Sequence, residues 1–413
     1  MSQPPLSPTD WFTLVTGMAT LLAVAFGRVP GGMKMSRAVL ALAGTCLLLL
    51  GGGTTLDVAL AAIDGEVLVL LFGLLTVNAA LASAGVFRYL TAAAARRALA
   101  PRRLLVVVVI VGGVLSALFL NDTVVLMLTP MVVRLALSLG LPPVPYLLGL
   151  TLAANAGSVA TTTGNPQNVL VSVAGHIGYG EFLVTLGPVA VLSLLVIIGV
   201  LLVIFQRQLA VPPVTPRDPG GSPAAWPRLR SGPLVVGLAT ATGMLLAFAL
   251  GVPVAVAAIV AGAVLLVSRG SASRGLLRQV DISLLVLFAG LFVVVDAMAR
   301  TGAPQTWLLG ALGDGGVLDL VWVTAVLSTI VSNVPAVLIL MPVVPADAYL
   351  IVAMASTLAG NLTLVASVAN LIAAESARRV GVELGFWAYA RAGVPVTLLS
   401  LLLGSAWLLA SGT

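Results

Sequence analysis

Charge is nearly missing from this sequence: among 413 residues there are 20 Lys and Arg and 14 Asp and Glu, 8% of the chain. With 60% hydrophobic residues as well, too little polar surface remains to cover a soluble globule of this length. The single cysteine, Cys46, rules out an internal disulfide, and one histidine, His176, leaves no Cys/His cluster for a metal. No phosphate-binding Gly-Lys-Ser/Thr loop is present, nor a nucleophile-base pair, so neither an ATP-driven pump on one chain nor an enzyme fits. Aromatics are sparse at 5%, and Trp11, Trp307 and Trp407 suit interfacial belts.

What the chain does have is apolar runs near the length that crosses a bilayer, about 20 residues. They include Trp11 to Gly27, Ala38 to Leu50, Val67 to Ser83, Phe182 to Phe205, Leu234 to Leu250, Val254 to Val267, Ile282 to Met298 and Phe386 to Leu409. The first follows a Pro-rich leader with no basic segment and no cleavage site, so it reads as a retained helix. The class is an all-α polytopic membrane protein.

The net charge of +6 does not point to nucleic acid, because the basic residues fall in alternate connections. They are Arg28, Lys34 and Arg37; Arg88, Arg96, Arg97, Arg102 and Arg103; Arg207, Arg217, Arg228 and Arg230; Arg269, Arg274 and Arg278; and Arg378, Arg379 and Arg391. The intervening connections Gly51 to Glu66 and Gly175 to Glu181 carry acids and no Lys or Arg. Positive-inside alternation then predicts ten crossings in a plasma (inner) membrane with both termini on the outer, periplasmic side. Arg134 joins the cytoplasmic set and Arg300 alone falls outside it.

The chain also repeats itself. LSALFLNDTVVLMLTPMV (Leu115 to Val132) matches LSTIVSNVPAVLILMPVV (Leu327 to Val344), aligning Asn121 with Asn333 and Pro130 with Pro342. SVATTTGNPQN (Ser158 to Asn168) matches GNLTLVASVAN (Gly360 to Asn370), aligning Thr161 with Thr363 and Asn168 with Asn370. Asp64, Gly73 and Gly85 correspond to Asp281, Gly290 and Gly302. The expected domains are a first repeat over 1–211, a Pro/Gly/Arg-rich cytoplasmic linker over 212–230 and a second repeat over 231–413. Five crossings per half is odd, so the halves are two inverted repeats, each with a re-entrant hairpin and a broken helix.

These interruptions carry the candidate site. Unpaired backbone is tolerated at membrane depth only where protein or a water-filled cavity surrounds it. The helix from Tyr146 should stop near Ser158 and resume around Asn168, leaving ATTTGNPQN unwound; the broken helices are placed at 146–174 and 349–377. Leu104 to Leu139 is too long for one crossing at about 1.5 Å per residue, so a hairpin with Asn121, Asp122 and Thr123 at its tip is predicted. Its counterpart has its tip at 332–335. The candidate substrate and ion ligands are Asn121, Asp122, Thr123, Asn155, Thr161, Thr162, Thr163, Asn165, Gln167, Asn168, Ser332, Asn333, Asn361, Thr363, Ser367 and Asn370. Among them Asn155, Asn361, Asn168 and Asn370 serve equally well as holders of the broken ends. Asp122, an ionisable group at membrane depth, is the candidate proton carrier; capping its helix is the alternative role. Asp296 and Glu375 are assigned to interfacial and surface positions.

LNDTVVLMLTP, AANAGSVATTTGNPQNVLV, SNVPAVLIL and STLAGNLTLVASVANLIAAESARR together resemble the ion transporter superfamily. The similarity is greatest to its branch of arsenite permeases, plant silicon efflux transporters and bacterial "anion transporter" permeases, with a citrate-transporter-like domain. The resemblance implies an elevator-like mechanism, a homodimer and exchange against protons. Its dicarboxylate branch carries a Ser-Asn-Thr signature at both tips, from which Asn-Asp-Thr and Ser-Asn-Val-Pro here depart.

No Lys or Arg occurs in the four tips, which favours a small metalloid oxyacid, silicic or arsenous, or a small inorganic anion held by helix dipoles. Proton-coupled efflux is the expected function. The alternatives are a sodium- or proton-coupled importer of a di- or tricarboxylate, and a sodium/proton antiporter. No cofactor is called for; H+ is the expected coupling ion, with Na+ as the alternative. The partners are the lipid bilayer, the solute and a second copy, with a separate soluble ATPase subunit as a further alternative.

Overall fold

The computed structural model describes residues 6–27, 35–86, 100–211, 231–313 and 316–412. The linker 212–230 lies outside the described residues, as do Arg28, Lys34, Arg88, Arg96, Arg97, Arg217, Arg228 and Arg230. Among the described residues the fold is helical, without strands. The first half contributes α1 (Pro8–Phe26), α2 (Arg37–Leu50), α3 (Leu56–Ala62), α4 (Gly65–Ala84), α5 (Pro101–Leu118), α6 (Asn121–Ser138), α7 (Val144–Ser158), α8 (Pro166–Ala174) and α9 (Tyr179–Ile204). The second contributes α10 (Ser231–Ala249), α11 (Val254–Ser268), α12 (Ser273–Leu277), α13 (Ile282–Arg300), α14 (Ala303–Leu312), α15 (Val317–Val331), α16 (Asn333–Leu340), α17 (Tyr349–Ala359), α18 (Val368–Arg378) and α19 (Phe386–Ser411).

Local chemistry sets the helix ends, and it repeats. Asp64 caps α4 by accepting from the Val67 N–H, and Asp281 caps α13 by accepting from the Leu284 N–H. Gly85 and Gly302 then end these helices with φ of 89° and 72°, a left-handed conformation that costs glycine nothing. Between cap and stop, each helix has a glycine where a backbone crosses it: Gly73 lies against Ala258 of α11, and Gly290 against Ala41 of α2. The halves therefore interlock, α4 packing with α10 and α11 and α13 with α1 and α2.

Large apolar side chains face outward around the molecule, among them Val184 at 75% exposure, Val267 at 80% and Trp387 at 81%. Such an exterior would be untenable in water and matches lipid. By length and composition eight described helices can cross a membrane, or nine if α11 and the segment after it, bent by 118°, form one span. The chain is a multi-pass membrane protein. The eight include α5 and α6, each 18 residues long, whereas α2 and the broken helices are shorter.

The centre is filled by the interrupted helices. Residues 145–173 are buried without exception, as are 350–361. One boundary differs from the sequence reading: the second helix begins at Pro166 and not near Asn168. Asn165 caps it, its side chain accepting from the Asn168 N–H, and Pro166 takes the first helical position, where a missing N–H costs nothing. Gln167 and Asn168 accordingly sit in a first turn and not in the loop. In the second half α18 begins at Val368, so Asn370 also lies in a helix. The helices that follow the two expected tips are unequal, α16 having 8 residues against 18 in α6.

Candidate functional site

The site is built from the broken ends. Asn168 donates from Nδ2 to the carbonyls of Ser158 and Thr161, ten and seven residues back (|i−j| of 10 and 7). Asn370 does the same to Gly360 and Thr363 at identical spacings of 10 and 7. Each asparagine spends its amide hydrogens closing its own loop.

A second layer joins the halves. Asn155 donates to Oδ1 of Asn361 and of Asn370, both at 2.9 Å, and accepts from Asn121 Nδ2 at 3.1 Å and Ser367 Oγ at 3.3 Å. Its two donors and two acceptor positions are all engaged. Asn361 donates to the Leu152 carbonyl at 3.0 Å. Thr357 answers from the other half: it accepts from Asn165 Nδ2 and Gln167 Nε2, each at 3.1 Å, and bonds Asn168 Oδ1 at 3.4 Å. Sequence reading missed Thr357, although it precedes Asn370 by the same spacing that separates Asn155 from Asn168.

The first tip is tied into this framework. Phe119 and Leu120 are extended and break α5 from α6, and the Asn121 N–H donates to the Gly164 carbonyl at 2.9 Å. Asn121 Oδ1 accepts from the Asp122 N–H, so Asn121, not Asp122, supplies the side-chain acceptor at the start of this helix. At the second tip Ser332 has φ 77°, a strained position for a residue with a Cβ, and does not cap α16. Asn333 Oδ1 accepts from Ser328 Oγ at 2.8 Å.

Two cavities meet here. A small one of about 70 Å³ is lined by Asn121, Asp122, Gln167, Ser332, Asn333 and Ser367. A larger one of about 470 Å³ adds Thr123, Asn78, Ser36, Gln279 and Asp281. Arg37, Asp122, Pro166 and Val368 stand in the walls of both. The first turns of α6, α8, α16 and α18 all contribute to the small cavity. Each N-terminus brings the positive end of a helix dipole; N–H groups in the first turns of α6 and α8 are met by Asn121 and Asn165, whereas the side chains of Ser332 and Ser367 leave α16 and α18 uncapped.

Of the other candidates, Asn155, Thr161, Thr162, Thr163, Asn165, Asn168, Asn361, Thr363 and Asn370 line neither cavity. Thr161 bonds the Ala117 carbonyl and meets Thr163 at 3.3 Å. The hydroxyls of Thr162 and Thr363 are buried and have no partner among the described residues. Asp296 pairs with Arg300 at 2.7 Å, and Glu375 with Arg378 and Arg379 at 2.5 and 3.4 Å, away from the site.

The four tips carry no Lys or Arg, but Arg37, outside them, faces the cavities. It is the first residue of α2, half-buried, and reaches into both cavities. Its position beside the loop charges Arg28 and Lys34 gave no sign of this. The arrangement can therefore hold a small solute rich in oxygen beside one guanidinium, with the Asp122 carboxylate in the walls of both cavities and that of Asp281 in the larger one.

An apolar exterior wrapped around interrupted helices, whose N-termini border a largely apolar cavity with a few polar groups in its wall, fits a membrane transporter. The chain belongs to the citrate transporter family, whose description "Citrate transporter" matches residues 21–349. The silicon efflux transporter LSI3 of Oryza sativa subsp. japonica is 32% identical over 402 residues, spanning 78% of this chain and 82% of that protein. An uncharacterized transporter of Mycobacterium tuberculosis is 28% identical over 323 residues, 71% of this chain and 73% of its own length. The crystal structure of the YdaH transporter of Alcanivorax borkumensis shares the fold, with a TM-score of 0.58 at 18% identity over 98% of both chains.

Proposed function

We propose that the chain is a secondary active transporter coupling proton movement to the export of a small metalloid oxyacid or inorganic anion across the inner membrane. The convergence of four helix N-termini with Asp122 in one cavity carries this reading. A site of donors suits oxygen-rich solutes, and a single carboxylate in its wall is the group able to exchange a proton for the solute. Similarity to a silicon efflux transporter supports a solute of this class.

The matched helix caps, glycine crossings and loop-closing asparagines support two inverted repeats of five crossings, with α7 and α8, and α17 and α18, each forming one broken crossing. In that topology α5 and α6, like α15 and α16, return to their own side. Ser36, Gln279 and Asp281 belong to connections assigned to the cytoplasm, so the larger cavity opens inward. An elevator-like movement of tips and broken helices against the interlocked helices, within a homodimer, would expose the site to the other side.

Everted vesicles energised to acidify their interior test this. Arsenite and a silicic acid analogue should accumulate, a protonophore should abolish accumulation, and Asp122→Asn should lower it about tenfold or more; accumulation untouched by the protonophore would refute proton coupling. Arg37 favours a second reading, uptake of a di- or tricarboxylate, as its guanidinium can neutralise a carboxylate. Sodium- or proton-driven citrate entry into right-side-out vesicles would select that reading.

A further inference from the structure

Arg37 has a role that loop charge does not explain. Its Nε donates to the Val24 carbonyl at 3.0 Å and its Nη2 to the Ala25 carbonyl at 3.5 Å. Both carbonyls belong to the last turn of α1, where helix acceptors lack partners and the dipole is negative. A guanidinium has five N–H donors in a planar fork, and these two bonds hold it from behind. The remaining donors belong to a side chain standing in the walls of both cavities.

What it faces is unbalanced. Asp122 and Asp281 line the same larger cavity, yet Arg37 forms no ion pair within 4.0 Å with either among the described residues. The guanidinium is thus moored and charged, and no carboxylate closes upon it. Asn78, 4% exposed in the same wall, has an amide nitrogen without a hydrogen-bond partner among the described residues. Pro166 and Val368, in the first turns of α8 and α18, line the same cavity.

We propose that Arg37 is the charge-selecting residue of the site: it receives an anionic oxygen of the cargo where the two cavities meet, with Asp122 as the competing negative charge. The proposal rests on the reading of this cavity as the transport site and names the cargo class it admits, a small oxyanion or a carboxylate. Fixed by two backbone carbonyls, Arg37 offers its fork with little further loss of side-chain freedom on binding. A second negative charge from Asp122 in the same space opposes the anion, so removing that charge strengthens its hold.

The test measures binding and not transport. Full-length protein purified in detergent is titrated calorimetrically with inorganic phosphate, sulfate and citrate at constant ionic strength. Wild type should bind at least one anion saturably; tight sulfate or phosphate binding identifies the oxyanion class, and citrate binding the carboxylate class. Arg37→Gln should weaken that affinity tenfold or more, Arg37→Lys should retain part of it, and Asp122→Asn should tighten it severalfold.

If Arg37→Gln fails to fold, Arg37→Lys decides. A threefold or greater weakening supports the planar fork, and unchanged affinity overturns the proposal. Absence of anion binding by wild type, or equal binding by folded Arg37→Gln, overturns it too. Because no gradient is involved, failed proton-driven transport with intact Arg37-dependent binding would refute the proposed coupling and leave Arg37 in place.

Discussion

Asn155 condenses the chemistry of the centre into one side chain. It is fully buried with every polar position engaged, so it works as a junction between halves with no capacity left for cargo. Asn155→Ala strands Asn121, Asn361, Asn370 and Ser367, and buried polar groups without partners cost about 1–3 kcal/mol each. A marked loss of thermal stability in detergent should follow, larger than for any exposed substitution on α9. At Ser332 the opposite change is expected. Glycine removes the penalty of a positive φ, of order 1–3 kcal/mol, so Ser332→Gly should melt higher and Ser332→Val lower. The polar identities of these sites were legible in the sequence because amides and hydroxyls stand out against apolar runs. Their division into junctions and cavity walls was not, since it depends on which carbonyl lies within reach. Arg37 was invisible for a related reason: its place beside loop charges says which side of the membrane it is near, not that its side chain turns inward.

At the scale of elements, the sequence made the broken helices visible through Gly-Asn-Pro and the paired asparagines. It misjudged where α8 begins because a proline that ends one helix is also well suited to start the next. The interlocking of α4 with α11 and of α13 with α2 was not readable, as a repeat reveals equivalence and not contact. Its physical trace is the glycine pair. A Cβ on Gly73 would meet the Ala258 backbone and come within 2.8 Å of the Ile259 nitrogen, and one on Gly290 would lie 2.9 Å from the Ala41 Cβ. Neither neighbour is the free end of a flexible side chain, so the helices must part. Gly73→Leu and Gly290→Leu should each separate their helix pair, seen as lowered melting temperature and loss of a monodisperse peak. Gly180→Leu, where nothing lies within 4 Å, should do neither.

For the whole molecule, composition alone identified a polytopic helical membrane protein, and paired motifs placed it among transporters. Cargo and coupling were beyond it because the groups proposed to set them, the four tips with Arg37 and Asp122, are distant in sequence and meet only when folded together. In the proposed mechanism Asp122 carries the coupled proton while the surrounding donors hold the solute. Proteoliposomes separate the two duties in one experiment, by comparing arsenite counterflow with arsenite accumulation driven by a pH gradient, in wild type and Asp122→Asn. Wild type should do both, and Asp122→Asn should keep counterflow while losing gradient-driven accumulation. Accumulation by Asp122→Asn at the wild-type level would contradict the central role given to this carboxylate.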